Sequence, residues 1–222
     1  MKAIDIVKLK IDDWKKIRKH YVNDTPDRIE KEEALKIIVY HLNNTKLDYF
    51  ISGGTLLGIY RDGNIIEWDY DIDIDICRET YQELINMIKI ISKKYNYPYR
   101  IGNNIFHPKV SIFINKVKVS ISCLTEGVLN NTYMYRPRTR IKKDICYPTK
   151  EYRFKEEIVI KVPNQIVKYL ISLYGENWKI PIKWKEDDQN KYYEKGYHRK
   201  ENRYKLLEFL QLLISKQLKK IQ

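Results

Sequence analysis

Cysteine is scarce in this chain, and the few present form no pattern. Cys77, Cys123 and Cys146 are the only three in 222 residues, and none pairs with another at metal-ligand spacing. An odd count without a leader segment argues against a disulfide framework and for a reducing compartment. Histidine is equally thin. His20, His41, His107 and His198 show no metal-ligand spacing either. Long apolar runs are missing as well. The N-terminal stretch M-K-A-I-D-I-V-K-L-K-I-D-D-W is interrupted by charge throughout, so neither a signal peptide nor a membrane anchor is expected there. The expectation is a soluble cytoplasmic protein with no transmembrane segment. There is no internal repeat and no long linker, which fits one domain with added elements.

Acidic residues are unevenly short. Residues 1–135 hold 20 Lys and Arg against 18 Asp and Glu, a balance of +2, whereas residues 136–222 hold 22 against 11, a balance of +11. A basic half attracts phosphorylated substrates, anionic surfaces or nucleic acid, or simply keeps the chain in solution. Arg136, Arg138 and Arg140 alternate with Pro137, Thr139 and Ile141. An extended segment would align the three guanidinium groups on one face.

Against this background, residues 68–75 stand out: Trp-Asp-Tyr-Asp-Ile-Asp-Ile-Asp. Side chains on a strand alternate faces. Asp69, Asp71, Asp73 and Asp75 therefore share one face. Trp68, Tyr70, Ile72, Ile74 and Ile76 share the other, which is the candidate core face. Four same-face carboxylates repel one another unless a cation sits among them. A hard divalent ion held by oxygen ligands, Mg²⁺ or Mn²⁺, is the expected remedy. A solvated acidic face is the competing reading. Asp71, Asp73 and Asp75 are the metal-ligand candidates, and Asp69, Asp71 and Asp73 the catalytic ones.

Upstream, Leu47 to Ile51 reads as a buried strand. Ser52-Gly53-Gly54-Thr55 follows, and then a short helical stretch from Leu56 to Arg61. A strand, a glycine turn and a helix N-terminus form a phosphate-binding arrangement, because backbone N–H groups and the helix dipole both favour an anion. Gly53, Gly54, Thr55 and Arg61 are the candidate phosphate-binding residues. Alone, Gly-Gly is equally consistent with a plain tight turn. Its coupling to the Asp-x-Asp run is what makes it specific.

The stretch from Ser52 to Ile76, S-G-G-T-L-L-G-I-Y-R-D-G-N-I-I-E-W-D-Y-D-I-D-I-D-I, resembles the signature of the LicD/fukutin family. A second, weaker likeness runs from Val162-Pro163 through Tyr169-Leu170 and Tyr174-Gly175 to Trp178 and Pro181. Together they cover roughly residues 33 to 184. The resemblance implies a nucleotidyltransferase-like fold and Mg²⁺-dependent phosphotransfer. Such enzymes take a CDP-activated donor, such as CDP-choline or CDP-ribitol. They pass its phospho-alcohol to a hydroxyl of a glycan or glycolipid and release CMP. The family pattern also implies a third carboxylate from a later strand. The matching position here is Ser120, within Val117-Lys118-Val119-Ser120-Ile121-Ser122-Cys123-Leu124, and serine cannot stand in for a carboxylate as base or strong Mg²⁺ ligand. Two alternatives therefore stay open: a nucleotidyltransferase acting on RNA or a small acceptor, and a non-catalytic nucleotide-binding scaffold.

The expected architecture is α+β, a mixed nucleotidyltransferase-like sheet with packed helices and a helical C-terminal region. It divides into an N-terminal helical segment (1–45), a core (46–184) and a basic C-terminal loop and helix (185–222). Helices are expected near 11–21, from a Thr25 cap with Pro26 at the first turn to Leu42, over 79–95, over 163–174 and over 199–221. Strands are expected at 109–115 and 117–123, turning at Asn115-Lys116, and near 133–135, 152–154 and 157–161. Tyr169, Tyr174, Trp178 and Trp184 read as core packing, with base stacking as the alternative.

Overall fold

A computed structural model describes residues 26–102, 107–126, 132–136 and 139–183. The helices expected at 11–21 and 199–221, the Thr25 cap, Arg138 and Trp184 lie outside the described residues. In chain order the elements are α1 (Arg28–Asn43), β1 (Tyr49–Ile51), α2 (Gly53–Asp62), β2 (Asp71–Cys77), α3 (Tyr81–Tyr95), β3 (Tyr99–Ile101), β4 (Lys109–Ile114), β5 (Val117–Glu126), β6 (Tyr133–Arg136), β7 (Thr139–Lys142), α4 (Lys143–Cys146), β8 (Lys150–Phe154), β9 (Ile158–Val162) and α5 (Ile166–Tyr174).

The main sheet runs β1-β2-β5-β4-β3, with β6 continuing from the far end of β5 and β7 pairing β6. Only β2 and β5 are parallel; the other pairs are antiparallel. Strands β8 and β9 form a separate hairpin. The sheet is therefore mixed and the fold α+β, as expected.

Period-two alternation places Ile72, Ile74 and Ile76 on one face of β2, in register with Val119, Ile121 and Cys123 of β5. Val110 and Ile112 of β4 continue that layer. All eight are fully buried. Each buried isoleucine contributes roughly 1.5–3 kcal/mol, so this face anchors the strand that carries the acids. Helix α1 packs on β2, β5 and β9, and α3 on β3 and β4. No helix among the described residues is long and apolar enough to cross a membrane.

Several expectations move. The cap of α1 is Asp27, whose side chain accepts from the Glu30 N–H while Glu30 reaches back to Asp27. Such a reciprocal box satisfies two orphan helix donors, and it outcompetes a start at Pro26. On this helix Ile29 is exposed, whereas Lys31 is buried with Ala34, Leu35 and Ile38. The hairpin turn at Asn115-Lys116 is present, with Asn115 at φ +53°, a conformation that asparagine tolerates. Strands β6 and β7 pair antiparallel rather than continuing as one extended run, with Arg136 across from Thr139. Arg136 and Arg140 consequently sit on different strands rather than on one face of a single extended segment.

Candidate active site

Strand β2 starts at Asp71, not at Trp68. Residues 67 and 68 turn, and Asp69 is delivered by the segment leading into the strand. Trp68 and Tyr70, predicted to be buried, are 39% and 42% exposed. The alternation that governs a strand does not extend into the turn before it. That turn is held by Lys31 of α1. Its ammonium donates to the carbonyls of Ile66 (3.0 Å), Glu67 (2.8 Å) and Asp69 (2.9 Å), which satisfies all three of its donors. Burial lowers the pKa of Lys31, and the nearby Asp69, Glu67 and Asp27 charges oppose that shift. A lysine at helical spacing on the apolar stripe of Ala34, Leu35 and Ile38 is the sequence signal for this contact.

The carboxylates of Asp73 and Asp69 each rest on a glycine. A Cβ at Gly53 would overlap the Asp73 carboxylate, lying 2.7 Å from its Cγ, and Gly53 sits at φ +54°. A Cβ at Gly54 would overlap the Asp69 carboxylate, with its Cγ at 3.3 Å. The Gly54 N–H donates to Asp73 Oδ2 at 3.2 Å, and the Asp73 N–H donates to Thr55 Oγ1 at 2.9 Å. The Ser52 N–H donates to the Asp73 carbonyl at 3.0 Å. Gly53, Gly54 and Thr55 thus meet the acidic strand directly. The helix N-terminus that the sequence marks for an anion already faces a carboxylate.

Burial pushes the Asp69 carboxyl up to about 7, with Asp73 and Asp71 adding to the shift. Burial likewise pushes Asp73 up to about 6, with Asp71 adding and Arg136 and Lys109 opposing. These carboxylates are under-neutralised, as a cation site is before its ion arrives.

Asp71 has found one positive partner. Lys118 Nζ donates to Asp71 Oδ2 at 2.6 Å, and Ser120 Oγ donates to the same oxygen at 2.9 Å. The β2–β5 register sets Lys118 across from Asp71 and Ser120 across from Asp73. Ser120, expected from the resemblance to stand where a third carboxylate would be, is thus the residue across from Asp73. Lys109 of β4 lies across from Ser122. Its pKa is lowered by burial and by Lys118, against the pull of Asp73 and Asp71.

Asp75 meets partners from β6 and α5. It is 1% exposed. Its Oδ2 accepts from the Tyr169 hydroxyl at 2.8 Å and pairs with Arg136 Nη1 at 3.3 Å. Arg136 also donates to the Tyr169 oxygen at 2.8 Å. The triangle ties β2 to β6 and α5. Asp75 Oδ2 is thereby engaged in a buried ion pair, while Asp75 Oδ1 is buried with no hydrogen-bond partner among the described residues. Tyr169 is fully buried and Trp178 is 6% exposed, so both pack in the core.

Arg61 sits at the far end of α2. Eight residues at the helical rise place it roughly 12 Å along the axis from Gly53. Its Nε and Nη2 fork onto Asp62 at 2.7 and 2.6 Å. Asp62 is thus its bidentate partner.

The arrangement fits a hard divalent ion. Its donors are all oxygens, and the two glycines let the Asp73 and Asp69 carboxylates approach the helix N-terminus where any Cβ would displace them. Among the described residues no three His, Cys, Asp or Glu side chains converge as a complete ligand set. Mg²⁺ is usually held that way, by one or two carboxylates with water and substrate phosphates supplying the rest.

The chain matches known proteins over this same region. The family model described as LicD/FKTN/FKRP, nucleotidyltransferase domain, matches residues 46–165, just over half of the chain. Ribitol-5-phosphate transferase FKTN of Macaca fascicularis is 27% identical over 174 residues, covering 73% of this chain. The Homo sapiens FKTN is 26% identical over 173 residues. Ribitol 5-phosphate transferase FKRP of Homo sapiens is 36% identical over 70 residues, covering 26% of this chain and 14% of its own length. The match spans only 37% of the length of the FKTN relatives. Among solved structures, ANT(2″)-Ia in complex with adenylyl-2″-tobramycin overlays with a TM-score of 0.47 at 12% identity, covering 86% of this chain and 99% of that one. Glycine cradle, Asp-x-Asp strand and family match coincide on one stretch of sequence, and the chain belongs to the LicD/FKTN/FKRP nucleotidyltransferase-domain family.

Proposed function

We propose that this chain is a Mg²⁺- or Mn²⁺-dependent phosphotransferase. It would move a phospho-alcohol, of the phosphocholine or ribitol-phosphate kind, from a CDP-activated donor to a hydroxyl of a glycan or glycolipid. The observation that carries this reading is the pair of glycines, each seating one carboxylate of the family signature. The names of the relatives support the ribitol-phosphate class.

The reaction is an in-line displacement. The acceptor oxygen forms a bond to the distal phosphorus, the bond from that phosphorus to the bridging oxygen breaks, CMP leaves, and the hydroxyl proton passes to solvent. Such chemistry depends on positioning and charge neutralisation. A bound divalent ion would supply Lewis-acid stabilisation of the phosphate oxygens. Asp71 and Asp73 would hold that ion on the rigid strand, with the Asp69 carboxylate close by on the turn that Lys31 pins. Lys109 and Lys118 add fixed positive charge beside the carboxylates, where donor phosphates would lie. The free thiols of Cys77, Cys123 and Cys146 support a reducing, cytoplasmic setting.

The test is CMP release from CDP-ribitol and CDP-choline with Mg²⁺, run beside ATP and CTP incorporation into RNA. Asp73→Asn should lower CMP release by at least about 10³-fold, the scale of losing a main electrostatic contact to the transition state. Undiminished release in that variant, or RNA incorporation without CMP release in the wild type, would overturn the proposal. Donor binding without turnover would make the chain a nucleotide-binding scaffold instead.

A further inference from the structure

The neighbours of the acidic strand limit how many cations it can hold. Two-ion phosphoryl-transfer sites hold their ions about 3.5–4 Å apart, and a second dication beside Asp71 and Asp73 needs further anionic oxygen ligands nearby. Here the adjacent strand is β5, and the residues across from Asp71 and Asp73 are Lys118 and Ser120. Neither is anionic, and one is cationic. The next strand adds Lys109, Ser111 and Phe113, which register with Ser122, Ser120 and Lys118. Strand β6 adds Arg136, already paired with Asp75. Among the described residues, the side chains that the sheet turns towards Asp71 and Asp73 from β4, β5 and β6 thus bring positive charge and no carboxylate.

Lys118 is held in place from two sides. Its ammonium is 2.6 Å from Asp71 Oδ2 and 5.1 Å from the centre of the Tyr70 ring, a cation–π distance. Its side chain is 18% exposed. Ser120 donates to the same Asp71 oxygen, so both β5 groups treat that oxygen as an acceptor to be neutralised.

We propose that Lys118 serves as a built-in second cation, and that the site takes one divalent ion where a third carboxylate would have called for two. This rests on the metal-dependent reading above. A fixed ammonium cannot leave with product, and it carries one charge rather than two. The enzyme would accordingly respond to divalent ion as a single-site system.

The experiment is Mn²⁺ titration of the full chain, followed by calorimetry and by the loss of free-ion signal in electron paramagnetic resonance, with no donor present. The wild type should bind one Mn²⁺ per chain. Lys118→Arg keeps the charge and should also bind one. The double variant Lys118→Met with Ser120→Asp removes the ammonium and restores the carboxylate, and should bind two. Circular dichroism checks that each variant folds. Should the double variant fail to fold, Ser120→Asp alone, with Lys118 retained, should still bind one. Two ions in the wild type, or two in Ser120→Asp alone, would overturn the proposal while leaving the metal-dependent reading intact. A double variant that folds and still binds one would overturn it in the same way. No ion in the wild type, either alone or with CDP added to supply phosphate oxygens, would overturn both.

Discussion

Removing the charge from Asp69 should stabilise the ion-free protein, and the gain should depend on pH in an unusual direction. The Asp69 carboxyl is pushed up to about 7 by burial and by its Asp73 and Asp71 neighbours, from an ordinary value of 3.8. A carboxyl raised in the folded state binds its proton more tightly there than in the unfolded chain. Between roughly pH 7 and pH 4 the folded state therefore holds the extra proton, and unfolding stability falls as pH rises. This is the reverse of a salt-bridged carboxylate, whose contribution is lost on acidification. From about pH 8 down to about pH 5.5, Asp69 should contribute roughly 2 kcal/mol, at about 1.4 kcal/mol per pH unit below its folded value. Asp73, pushed up to about 6, should add a few tenths more. Asp69→Asn keeps the shape and removes the titration. Urea unfolding in EDTA should show the variant more stable than wild type by roughly 2–4 kcal/mol near pH 8, with the difference shrinking towards pH 5.5. Saturating Mg²⁺ should narrow the gap at pH 8 by stabilising the wild type. Wild-type stability that rises from pH 5.5 to pH 8 in EDTA, or an Asp69→Asn variant no more stable at pH 8, would refute the reasoning.

Two further outcomes follow from the same geometry. Lys31→Met removes three hydrogen bonds from a buried ammonium and should cost about 2–4 kcal/mol in chemical denaturation, with the turn before Asp69 losing amide-exchange protection ahead of the β2 core. Gly53→Ala and Gly54→Ala should separate stability from function: the first strains a backbone at φ +54° and should cost about 1–3 kcal/mol, whereas the second meets only the end of the Asp69 side chain and should fold normally but lose at least about tenfold in CMP release. Equal stability losses in the two glycine variants would contradict that division.

The local part of this protein was legible in its sequence. Alternation over Asp71 to Cys77 placed the isoleucines in the core and the carboxylates together, because a strand's two faces follow from its own backbone. The Gly53-Gly54-Thr55 turn, the Asn115 hairpin and the family signature were equally local. The alternation failed at Trp68 and Tyr70 because the strand had not yet begun. What each carboxylate would do was decided only by tertiary structure. Asp71, Asp73 and Asp75 are equivalent by spacing, yet Asp71 meets Lys118, Asp73 meets the Gly54 N–H, and Asp75 is claimed by Arg136 and Tyr169. Those partners lie 47, 19, 61 and 94 residues away in the chain. A carboxylate's charge state and role depend on the nearest opposite charge and on desolvation. Both are fixed by strand order and register, which bring remote residues together and which no period along the chain encodes.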